Sequence, residues 1–147
     1  MNATEFKLDP TTATLLTRWQ NAAGKFIDLA AALPAEKFDA EIVPGARSYG
    51  EVLRHVAYWN RYVADKLHGK DADDSGNELA RLECPDKAAA LAELTRNRAD
   101  IASGIERALD AAALESYCMG LEHVCEHYGQ LAVYARALGI TPPASLS

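Results

Sequence analysis

GLEHVCEHYGQLAVYARALG, residues 120–139, decides how the rest of the chain is read. Leu121, Val124, Tyr128, Leu131, Ala135 and Leu138 recur at the three- and four-residue spacing of one helix face. Gly139 and then Pro142 and Pro143 end the helix, because glycine accepts the left-handed conformation there and proline cannot continue the ladder. Beside the apolar stripe runs a second one, His123, His127, Gln130 and Tyr134. Imidazoles at i and i+4 lie on one helix face and can grip a single metal ion. Glu122 and Glu126 look like ligands in linear order, but a turn of about 100° per residue aims them at solvent. Cys125 lies between the histidines, turned about 70° or more from either, and is expected to be packed. The pair alone has little specificity, since histidines beside glutamates on a helix surface are often plain solvated side chains.

Residues 110–120 read as a short connection, with Cys118 just ahead of the last helix. Near that helix's positive end, Cys118 is the best-placed cysteine for a reactive thiol. Before the connection, Pro85 opens a third helix with Leu91, Leu94, Ile101, Ile105 and Leu109 inward. Its outer face is charged: Lys87, Glu93, Arg96, Arg98, Asp100, Glu106 and Arg107. Residues 70–83 are polar and read as a mobile loop. Asp71, Asp73, Ser75 and Gly76 imitate a calcium loop, but Leu82 occupies the position that needs a bidentate glutamate, so the loop is read as solvated.

Ser48 followed by Glu51 is a capping box that starts a second helix, with Gly69 as its stop. Its apolar stripe is Val52, Val56, Trp59, Val63 and Leu67, and His55 sits on the flank of that stripe. His68, at the helix end, is expected to serve as a cation against the helix dipole. Asp9 caps a first helix with Pro10 at its first position, and Leu15, Leu16, Trp19, Ala23, Phe26, Ile27 and Ala30 carry it to about Leu33. Residues 34–47 read as a structured loop with one helical turn.

No segment reads as a strand or a repeat. Four main helices imply an all-α four-helix bundle, one domain over residues 1–147, with links long enough for a crossover connection. The chain is 49% apolar and 24% charged, with a net charge of −6 and no basic patch, which argues against a nucleic-acid partner. No apolar run approaches the roughly 20 residues that cross a bilayer, so no membrane partner is expected. The start, MNATEFKLDP, shows no leader. Three cysteines follow no disulfide framework, which fits a cytoplasmic protein with at least one free thiol and cysteines packed in or near the core.

Bundles bring flanking positions of facing helices together, so His55 is the candidate third ligand beside His123 and His127. Three neutral imidazoles would suit zinc, nickel or ferrous iron and leave positions open for water or substrate. SYGEVLRHVAYWNRYV around His55, EHVCEHYGQLAVYARALGITPPAS around His123 and His127, and the helix order between them together resemble the DinB-like (YfiT-like) superfamily of metal-dependent enzymes. That resemblance implies a divalent ion held by His55, His123 and His127, a bundle with a long crossover, and a homodimer formed through helix faces. Family members include mycothiol-dependent maleylpyruvate isomerases and bacillithiol transferases, so a low-molecular-weight thiol is implied as a possible second cofactor for a small-molecule substrate. The expected activity is a metal-dependent hydrolase or a thiol-dependent S-transferase, the ion acting as a Lewis acid or lowering the pKa of a bound water or thiol. The sequence offers no clear general base, and Tyr58, Tyr62 and Tyr134 are only candidate pocket residues. A non-catalytic metal- or small-ligand-binding dimeric bundle therefore stands as the alternative.

Overall fold

Residues 7–107 and 109–146 are described by a computed structural model; residues 1–6, which include most of the stretch read for a leader, lie outside them. The helices are α1 (Pro10–Ala32), α2 (Tyr49–Leu67), α3 (Lys87–Ile105) and α4 (Ala111–Ala137). Among the described residues there is no strand. None of the helices is long and apolar enough to cross a membrane.

Each start has a side-chain acceptor for the orphan N–H groups of the first turn. The Asp9 carboxylate accepts from the amides of Thr11 and Thr12, both at 3.0 Å. Ser48 and Glu51 form the reciprocal capping box, and Asp86 and Asp110 accept from Ala89 and Ala113. The stops use left-handed glycines, Gly69 at φ 68° and Gly139 at φ 75°. Residues 34–47 contain the expected single turn, Ala35–Lys37.

Two boundaries differ from the sequence reading. Pro85 stands outside α3, because Asp86, extended at φ −147°, is the cap. Residues 110–120 are not a connection but the first part of α4. Gly120 misled as a boundary: a Cβ there would lie 3.0 Å from Val63 Cγ2, so the glycine serves close approach of α4 to α2. Cys118 is consequently inside α4, two turns from its start, where the helix-end field has fallen away.

α1 packs on α3 and α4, and α2 packs on the same two helices, which leaves α1 and α2 across one diagonal. Side-chain contacts give the directions. Trp19 donates to the Arg98 carbonyl and Lys87 to the Leu33 carbonyl, so α1 and α3 are antiparallel. Arg61 pairs with Glu93 while His68 meets Asp100, so α2 and α3 are parallel. A parallel pair forces the segment from 68 to 86 to return along the bundle, and it is the long crossover. His55 beside His123 and His127, with Val63 against Gly120, makes α2 and α4 antiparallel.

The interior is built from Trp19, Phe26, Leu29, Leu53, Val56, Leu94, Ile101, Val124 and Leu131, all buried. Each such side chain contributes roughly 1.5–3 kcal/mol against exposure. Helix α2 is the most enclosed, and Arg54, 1% exposed, sits inside it. Its guanidinium reaches Asp39 at 3.5 Å and Glu78 at 3.6 Å, donates to the Cys84 carbonyl at 3.4 Å, and lies over the Phe38 ring. Arg54 thus joins both long connections to α2. Glu93, expected on the charged outer face of α3, is buried, accepting from Arg61, Arg96 and Asn97.

Candidate metal centre

His55 lies two turns into α2, and His123 and His127 lie one turn apart in α4. The antiparallel packing of these helices brings the three rings to one point. Ring centroids are 4.7 Å apart for His55 and His123, 4.9 Å for His55 and His127, and 4.5 Å for His123 and His127, all edge-on. One ligand nitrogen from each ring lies within 4.8 Å of the others. His55 is buried and the other two are half-buried.

Hydrogen bonds decide which nitrogen two of the three rings present. His55 Nδ1 is 2.6 Å from the Asn77 carbonyl; a carbonyl can only accept, so Nδ1 carries the proton and Nε2 keeps its lone pair. For His127 the direction is set from further away. The Arg47 carbonyl accepts from Tyr134 Oη at 2.7 Å, so that hydroxyl accepts from Gln130 Nε2 at 2.8 Å. Gln130 Oε1 therefore faces His127 Nδ1, also at 2.8 Å, and takes its proton. Two rings are thereby fixed as donors outward and lone pairs inward, the arrangement a metal-ligating histidine needs. His123 Nε2 is 2.9 Å from His55 Nε2, while His123 Nδ1 is buried without a partner.

The electrostatics favour neutral His55 and His123. Burial pushes His123 down to about 3, helped by the neighbouring His127 and His55 and by Arg47. His55 is lowered mainly by burial, against the opposing pull of the Asn77 carbonyl. Metal–nitrogen bonds of about 2.0–2.1 Å place two nitrogens of one ion roughly 3 Å apart, and the 2.9 Å contact between His55 and His123 matches that spacing. The donor set fits a divalent ion.

The glutamates of α4 stay out of this set: Glu122 and Glu126 are exposed, as helical geometry requires. Gln130 and Tyr134 lie beneath the histidines as the stripe implied. Two expectations fail. Cys125, expected to be packed, is exposed, and so is Cys118; only Cys84 is interior, where burial raises its thiol. Cys125 stands at the open groove between α4 and α1, beside Arg18, Asn21, Ala22 and Lys25, and not in the packed seam. Trp59, placed on the apolar stripe, is half-buried, stacked edge-on against Tyr58 and Tyr62, and donates to Asn77 Oδ1 at 3.1 Å. Residues 70–83, read as mobile, are irregular but fastened to α2 through Asn77, Gly76 and Leu79. His68 caps α2 as placed, yet its ring bridges to α3 through the Asp100 carbonyl at 2.9 Å.

Sequence reasoning missed Asn77 and Arg47, because each acts through its backbone carbonyl and no side-chain pattern announces that. Arg54 was missed because a lone arginine inside an apolar stripe carries no signal of its partners.

A family model described as the DinB superfamily matches residues 18–137, a span that contains all three histidines. No curated protein matches the chain.

Proposed function

The chain belongs to the DinB superfamily, and from that membership and the converging imidazoles we propose that it is a metal-dependent enzyme, best read as a thiol-dependent S-transferase. The observation that carries the metal reading is the three-histidine cluster itself, with two rings held Nδ1–H by Asn77 and Gln130. His55, His123 and His127 would hold a divalent ion, which would supply Lewis acidity and lower the pKa of a bound water or thiol. Three neutral ligands leave the charge of such an ion uncompensated, which strengthens that effect.

The rest of the work falls to the chain. His123 stays unprotonated over the neutral pH range because its surroundings oppose a cation. Gln130, oriented by Tyr134, stops His127 from rotating. His55 is buried while His123 and His127 are half-buried, so a reactant would reach the centre past the two histidines of α4. Transfer is favoured over hydrolysis because no carboxylate joins the cluster among the described residues to assist an attacking water or to protonate a leaving group. A thiol ionises at much lower pH than free water and needs less help. Glu78, the carboxylate that acts on His55, is engaged by Arg54.

The test is elemental analysis of untagged protein, then titration with zinc and with nickel, then turnover of an aromatic electrophile with and without a low-molecular-weight thiol. Near-stoichiometric metal, lost in the His123→Ala, His127→Ala double variant, is expected, as is turnover only with thiol. Protein that takes up neither ion would overturn the metal reading. Hydrolysis without thiol would move the assignment to a hydrolase, and metal binding with no turnover of any substrate to a non-catalytic bundle.

A further inference from the structure

The crossover between α2 and α3 passes directly beside the candidate centre, and residues 73–79 of it are tied to one helix only. Tyr58 Oη accepts from the Gly76 amide at 2.8 Å and donates to the Asp73 carbonyl at 3.0 Å. Trp59 Nε1 donates to Asn77 Oδ1 at 3.1 Å, and His55 Nδ1 to the Asn77 carbonyl at 2.6 Å. Glu78 lies 3.6 Å from Arg54, and the Leu79 amide donates to the Arg54 carbonyl at 3.3 Å. Arg54, His55, Tyr58 and Trp59 all belong to α2, so this stretch is stitched to the same surface that presents His55. A Cβ at Gly76 would come within 3.1 Å of the Tyr58 ring, which is why the chain can lie flat there.

We propose that residues 73–79 form a strap that positions His55 for metal, with Asn77 as the positioning residue, and that metal binding and strap order are reciprocally coupled. The inference rests on the metal reading above and deepens it. Its logic is directional. An indole N–H can only donate, so Trp59 fixes the Asn77 side chain with Oδ1 toward it. That anchors the Asn77 peptide, whose carbonyl can only accept and therefore holds His55 in the Nδ1–H form with Nε2 toward the other rings. Trp59 and His55 are four residues apart on α2 and share one face, so one turn of helix supplies both ends of the clamp.

The strap has little to hold it otherwise. Residues 73–78 are exposed, and Leu79 is its only buried side chain. A segment with few apolar contacts sits at the low end of local stability, where one hydrogen bond to His55 matters. An ion that requires the Nδ1–H form of His55 favours the ordered strap, and by linkage the ordered strap favours the ion to the same degree. Partners of this kind typically change metal affinity about 10–100-fold when lost.

The experiment compares wild type, Asn77→Ala, Trp59→Phe and His55→Ala, with zinc alone as the probe. The His55 tautomer is read by nitrogen-15 NMR in metal-free protein, zinc affinity by chelator competition, and amide exchange at Gly76 and Leu79 with and without zinc. Asn77→Ala and Trp59→Phe are expected to mix the His55 tautomers and weaken zinc about 10-fold or more, while the metal-free melting temperature barely moves. Zinc is expected to slow exchange at both amides in wild type and not in His55→Ala. Zinc affinities within twofold of wild type with a single His55 tautomer retained, or exchange that ignores zinc, would overturn the strap. If wild type binds no zinc, the metal reading fails by itself, and the metal-free tautomers alone then decide whether the strap positions His55.

Discussion

Tyr134→Phe removes one oxygen from a buried position and should act on stability and on the metal centre separately. Tyr134 is 2% exposed, and its hydroxyl both donates to the Arg47 carbonyl at 2.7 Å and accepts from Gln130 Nε2 at 2.8 Å. Loss of that oxygen leaves one acceptor and one donor without partners in a half-buried setting. Orphaned groups of this kind cost about 1–3 kcal/mol; at a central 2 kcal/mol the melting temperature of metal-free protein falls by roughly 4–8 °C for a domain of this size. The second effect runs through Gln130. With no hydroxyl to orient it, the amide can turn its NH₂ toward His127 Nδ1, which then accepts and leaves the ring proton on Nε2, the nitrogen a metal would need. Zinc affinity should fall about 10-fold, the lower end for an outer partner of a ligand. Calorimetry on metal-free protein and chelator competition with zinc read the two effects independently. A rescue sharpens the test: in Tyr134→Phe with Gln130→Glu, either carboxylate oxygen can accept from His127, so affinity should recover while the Arg47 carbonyl stays unpaired. A lower melting temperature with unchanged zinc affinity would refute the relay to His127, and unchanged values of both would refute the hydroxyl's placement.

Saturating zinc, at about one hundred times its dissociation constant, should stabilise the fold by about 2.7 kcal/mol, raising the melting temperature roughly 5–11 °C; the shift should vanish in His123→Ala, and a wild-type scan indifferent to zinc would contradict the site. Acid should destabilise the metal-free protein in two overlapping windows. His123 is depressed to about 3 from 6.5, so the unfolded chain binds the extra proton and stability present above pH 6.5 drains away as pH falls toward 3. Burial pushes Glu93 up, but its bonds from Arg61, Arg96 and Asn97 outweigh that and hold it at about 2 against 4.5, so its contribution is lost only below pH 4.5; Glu93→Gln should flatten that lower part of a calorimetric pH series and leave the upper part. Two glycines in helices should respond oppositely to alanine in urea melts. Gly104→Ala places a Cβ 2.7 Å from Leu67 Cβ and should cost about 1–3 kcal/mol, whereas Gly129→Ala meets nothing within 4 Å and should gain up to about 1 kcal/mol of helix propensity.

The parts of this molecule that sequence could reveal are those written in side-chain period. The stripe of Leu121, Val124, Leu131 and Ala135, the Ser48–Glu51 box and the caps at Asp9 and Pro10 announce helices because the same residue types must recur on one face or stand at one end. His123 and His127 are legible for the same reason, and His55 through its place on the flank of α2. Gly120 shows where period fails. A glycine just ahead of a strongly periodic stretch reads as a boundary, and only the packing of Val63 reveals that it is an approach point inside a 27-residue helix. Glu93 and Arg54 fail similarly: each is charged by type and interior by virtue of its partners, Arg61 of α2 for Glu93 beside Arg96 and Asn97 of its own helix, and residues of both long connections for Arg54.

What fixes the site is illegible for a more specific reason. The two groups that set the ring tautomers at their far ends are the carbonyls of Asn77 and Arg47, and every residue has a carbonyl. They become specific only through topology. Because α2 and α3 run parallel, the chain leaving α2 has to travel back along it, and that return brings Asn77 level with His55 after 22 residues. A short antiparallel link would have carried the chain away from the histidines and left Nδ1 of His55 to water. The long connection before α2 does the same for the other side, delivering the Arg47 carbonyl to Tyr134 at the point where Ser48 caps the helix. The two irregular segments are therefore as much a part of the centre as the helices that carry its ligands. Lengthening the 70–83 segment should disturb His55 before it disturbs the bundle.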